Sequence, residues 1–91
     1  MILFAIGLRD GDRKTFVKEV TYVEDESGYS LLDEQRVGFL EETGSVEEEL
    51  LALVGQKVRL VFSDYTEKTI IVGKTKFRPD DDECRVFIYA A

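Results

Sequence analysis

One stripe of apolar residues at helical spacing sits mid-chain, and nearly every other apolar residue falls in a strand-length run bounded by turn chemistry. The stripe is Val46, Leu50, Leu53 and Val54, which recur at the spacing of one helix face. Ser45-Val46-Glu47-Glu48 has the capping-box form, in which the Ser hydroxyl accepts from the N3 amide and Glu48 reaches back to the cap amide. Glu47, Glu48 and Glu49 crowd the first turn, where the helix dipole favours anions, and Gly55 stands where a left-handed residue ends a helix. The spacing predicts a helix over 46–54.

The remaining runs read as strands. Ile2, Phe4, Ile6 and Leu8 share one parity while Leu3 and Ala5 are apolar on the other, the pattern of a strand covered on both faces. Arg9-Asp10-Gly11-Asp12 is turn chemistry. Thr15–Val23 and Tyr29–Leu32 flank the polar stretch Glu24–Gly28, so the first three strands form a meander. Residues 33–44 stay ambiguous: Leu32, Arg36, Phe39 and Leu40 have helical spacing, but Val37-Gly38-Phe39 interrupts it. Lys57–Ser63 alternates, with Val58, Leu60 and Phe62 on one face, and turns through Ser63–Thr66 into Lys68–Phe77. Ile70 and Val72 share one parity there and Thr75 and Phe77 the other, which places a bulge at Gly73. Arg78–Glu83 is a loop, and Cys84–Ala90 is the last strand.

The expectation is a small single α+β domain over residues 1–91. It is a largely antiparallel sheet of about six strands, ordered β-β-β-α-β-β-β, with one short helix packed on it. Val46, Leu50, Leu53 and Val54 should meet Phe4, Ile6, Leu60 and Phe62.

Composition narrows the function. The chain has 91 residues, enough for one domain, and no His, the commonest acid/base group and metal ligand. Its single Cys84 excludes an intrachain disulfide and Cys-based zinc patterns; as a small apolar residue opening a strand it reads as core. The seven glycines are dispersed, with no phosphate-cradling loop. Met1–Leu8 has no base ahead of it and is too short to span a bilayer, so the expected location is cytoplasmic and no membrane partner is expected. Asp80-Asp81-Asp82-Glu83 lacks the ligand spacing of an EF-hand loop, and a wet hairpin loop explains it as well. The expectation is a non-enzymatic protein without cofactor or metal.

Charge is the most informative property. Residues 24–50 carry ten acids and one base, while the segments on either side are each net +1, so the formal charge of −7 lies in one block. A solvated hairpin tip followed by a helix N-terminus accounts for part of it. The sharper reading is a face that steers onto a basic protein, such as a nucleic-acid-binding protein that it inhibits. Glu24, Asp25, Glu26, Glu41, Glu42, Glu47 and Glu48 would then stand in for phosphates. The alternative is a structural protomer, its acidic half meeting the basic sheet of a neighbour in a ring or filament. That sheet carries Lys57, Arg59, Lys74, Lys76, Arg78 and Arg85 near Tyr65, Phe87 and Tyr89, an interleaving seen in single-strand platforms. The net acidity runs against direct nucleic-acid binding.

Two likenesses are carried by residues or by gross form. Leu50–Leu60 resembles the helix-to-strand passage of Sm-like RNA-binding barrels, though that family's Asp and Asn signature is missing from the loops that follow. In size, acidity and a helix leading into a β-meander, the chain is similar to small phage inhibitors that mimic DNA. That likeness implies carboxylates placed where phosphates would be.

Overall fold

The computed structural model describes residues 6–9, 17–80 and 84–91. Along the chain these form β1 (Ile6–Arg9), β2 (Lys18–Glu24), β3 (Ser30–Asp33), α1 (Glu34–Thr43), α2 (Val46–Leu53), β4 (Lys57–Phe62), β5 (Glu67–Phe77) and β6 (Val86–Ala90). The protein is a small α+β domain with six strands, as the sequence predicts, but it has two helices instead of one.

The strands run in the order β1-β6-β5-β4-β2-β3, and β1 also pairs with β2. That last pairing closes β1, β2, β4, β5 and β6 into a five-strand barrel. Each ladder is antiparallel except β1–β6, which is parallel. The exception is forced: with five strands in a ring, alternating directions cannot close, so one neighbouring pair must be parallel. The expected meander is corrected here. β1 pairs with Lys18–Val20 and β3 with Tyr22–Glu24, while β4 pairs with β2 from Val20 to Glu24. Since β4 occupies one edge of β2, β1 and β3 share the other.

Closure turns one face of each strand inward. Ile6, Val23, Leu60, Ile70, Val72 and Ile88 join Val37, Leu40, Val46, Leu50 and Leu53 of the helices in one core. Val46, Leu50 and Leu53 are buried as their spacing predicts, but Val54 is 40% exposed. The chain has already left the helix there, with ψ at 129°. Phe4, expected beneath this helix, lies outside the described residues, as do the start of the first strand, most of the turn after it, Thr15 and Phe16, and Asp81–Glu83. The bulge at Gly73 is present. The register shifts between Val72 and Lys74, so Thr75 and Phe77 turn partly inward after Ile70 and Val72. A Cβ at Gly73 would stand 2.8 Å from the Ala91 Cα, so the backbone approach itself requires glycine.

α1 is the helix that the sequence left ambiguous. Asp33 caps it, its Oδ1 accepting from the Arg36 amide at 2.7 Å. It ends on Gly44 at φ 70°, where the Gly44 amide donates to the Glu41 carbonyl and the Ser45 amide to that of Leu40. This pair of bonds is a Schellman motif. It also explains why the expected capping box of α2 is absent. The Ser45 amide that Glu48 would have satisfied is already committed to Leu40, and the Ser45 side chain makes no cap bond.

Candidate partner-binding surface

The hairpin joining β2 to β3 holds three of the seven acids, and the structure gives two of them internal work. Glu24 is 8% exposed and lies opposite Arg59 in the β2–β4 register. Its Oε1 accepts from Arg59 Nε and pairs with Nη2. Asp25 organises the turn: its Oδ1 accepts from the Ser27 amide at 2.9 Å, the Ser27 hydroxyl at 2.6 Å and the Tyr29 amide at 2.9 Å. These donors, the Ser27 hydroxyl first, hold its carboxyl below the usual range. Glu26 is exposed at the tip, 3.6 Å from Lys57 Nζ.

The other four acids gather where α1 gives way to α2. Glu41, Glu47 and Glu48 line one groove with Gly44, Val46, Phe77 and Pro79, and Glu42 is exposed beside Glu41 on the last turn of α1. Glu41 is partly neutralised by Arg85, whose Nη1 lies 3.1 Å from its Oε2. The sequence shows no base between Arg36 and Lys57. Arg36 in turn pairs with Glu49 across the two helices at 3.1 Å. None of the three hairpin acids lines the groove of Glu41, Glu47 and Glu48. Glu24 lines a separate groove with Tyr22, Asp33 and Glu34 near the start of α1.

The basic and aromatic residues of the sheet form a different arrangement. Phe87 and Tyr89 face out of the barrel, yet they are only 1% and 6% exposed. The Arg9 guanidinium lies 4.0 Å from the Phe87 ring centre, and Lys74 Nζ lies 4.5 Å from that of Tyr89. These contacts leave neither ring an open face for a base to stack on. Cys84 packs in the same cluster at 1% exposure. Tyr65 is the opposite case, 92% exposed with φ at 68° at the tip of the β4–β5 hairpin. Asp64 fixes that tip: its Oδ1 accepts from the Thr66 amide at 3.1 Å, and its Oδ2 lies 2.9 Å from Lys18 Nζ.

Among the described residues no group of three or more metal-ligating side chains converges, and no helix is long and apolar enough to cross a membrane. The compact acidic corner at the α1–α2 junction was only half legible in the sequence. The charge block marks it, but the Gly44 reversal that folds its two halves together became visible only once α1 was placed. No protein-family model, curated protein or solved structure matches the chain, so the acidic corner has to be interpreted from its own residues.

Proposed function

We propose that the chain is a non-enzymatic protein-binding module whose acidic α1–α2 corner docks on a basic protein surface. Glu41, Glu42, Glu47 and Glu48 stand where the phosphates of a nucleic acid would, and the partner is a nucleic-acid-binding protein that the module inhibits. One observation carries this reading. Glu42 is exposed on the last turn of α1, a turn with no base, where the negative end of the helix dipole disfavours an anion; Glu41 beside it is held by Arg85. The acids that open α2 stabilise their own helix; Glu42, which closes α1, does not. Stability alone favours a base at position 42, whereas attraction to a cationic partner favours the acid. Concentrated charge of one sign also speeds encounter with an oppositely charged surface.

The test is a Glu42→Gln variant measured twice. Its melting temperature should rise slightly, by the equivalent of about 0.3–1 kcal/mol. In host-cell extract it should retain less of a basic protein that wild type captures and that duplex DNA displaces. If capture is unchanged, or resists both DNA and salt, the acidic corner is solvated surface and the proposal fails.

A further inference from the structure

The outer side of α2 carries a second feature that the acidic corner does not explain. Leu51 is 71% exposed, with Val54 one turn further on at 40%. Glu47 lies one turn before Leu51, so the two share one side of α2, and Val54 follows just past the end of the helix. Leu51 also lines a shallow groove between α2 and β5, walled by Glu47 on the helix and by Thr75, Lys76 and Phe77 on the strand. An acid and a base thus flank an unburied Leu within one small face. A face of this composition is complementary to itself.

We propose that this face pairs with the same face of a second copy of the chain about a two-fold axis. Leu51 packs on its counterpart at the centre, and Glu47 of each copy meets Lys76 of the other. Charge complementarity across the two-fold axis argues for this occupant. A purely basic partner would be repelled by Lys76, and a purely acidic one by Glu47. The pairing shares Glu47 with the acidic corner, but Glu41, Glu42 and Glu48 take no part in it.

Sedimentation velocity on the intact chain, from micromolar to millimolar concentration, tests it. Wild type should shift from monomer to dimer as concentration rises, and the shift should weaken with salt because the rim ion pairs are screened. Leu51→Glu should remain monomeric while keeping its melting transition, since the side chain it replaces is exposed. Glu47→Lys and Lys76→Glu should each be monomeric, and the double variant with both charges exchanged should recover the dimer. Wild type that stays monomeric throughout overturns the proposal. So does a dimer indifferent to Leu51→Glu, or an exchanged variant that fails to recover it. The Glu42→Gln capture experiment leaves this face intact, so failure of either reading is separable from failure of the other.

Discussion

Two glycines with similar surroundings in the sequence do opposite things. Gly38 lies inside α1, and a Cβ there would meet nothing within 4 Å, so the residue only lends conformational freedom to the unfolded chain. Gly38→Ala should therefore stabilise by about 0.5–1 kcal/mol in a denaturant titration. Gly73→Ala should destabilise, because the Ala91 backbone stands where the methyl would go. Glu24 shows the same dependence on place. Its position before the acidic tip suggests an exposed charge, yet its register against Arg59 buries it. Thermal melts should show Glu24→Gln lowering the transition more than Glu26→Gln, since only the first strips a base of a sheltered partner. Asp64 titrates to about 2, held down first by the Thr66 hydroxyl and then by Lys18. Its folded pKa lies below its unfolded one. The stability it contributes is therefore present at neutral pH and lost as pH falls from about 4 towards 2. Asp64→Asn should flatten that part of a stability-against-pH curve; an unchanged acid limb would mean the turn bonds do not persist in solution.

At the scale of elements, legibility followed burial. α2 was readable because three of its eight residues enter the core on one stripe. Leu50→Ala, at 2% exposure in the parent, should cost about 2–5 kcal/mol by equilibrium unfolding; a loss under about 0.5 kcal/mol would mean that the helix does not seat in the core. α1 was not readable. Only Val37 and Leu40 of its ten residues are buried, and Gly38 and the exposed Phe39 break the stripe between them. Its signals were local bonds: the Asp33 cap at one end and the Gly44 reversal at the other. The same reversal removed the α2 capping box, although its sequence was well formed. Neighbouring caps compete for one amide, and spacing alone does not reveal which helix takes it. The faces of β4 and β5 were legible, including the register change at Gly73, but the shifts within β2 near Val20–Tyr22 and Val23–Glu24 were not.

Closure is a property of the whole molecule. The parallel β1–β6 ladder joins residues near opposite ends of the chain, and no local pattern encodes it. It fixes which sheet face is interior, and so makes Phe87 and Tyr89 an outer cluster under cations instead of an open platform. The helices then carry the exposed acids Glu42, Glu47 and Glu48. They divide the acidic block in two: a hairpin end bound up in the fold, and the α1–α2 corner left to solvent. This corner is the proposed docking face. Amide hydrogen exchange on the chain, free and saturated with the basic protein that wild type captures, tests it most directly. Exchange should slow across residues 40–50 and stay unchanged at the 25–29 tip. Protection at the tip or on the β5–β6 face, with 40–50 unchanged, would contradict it.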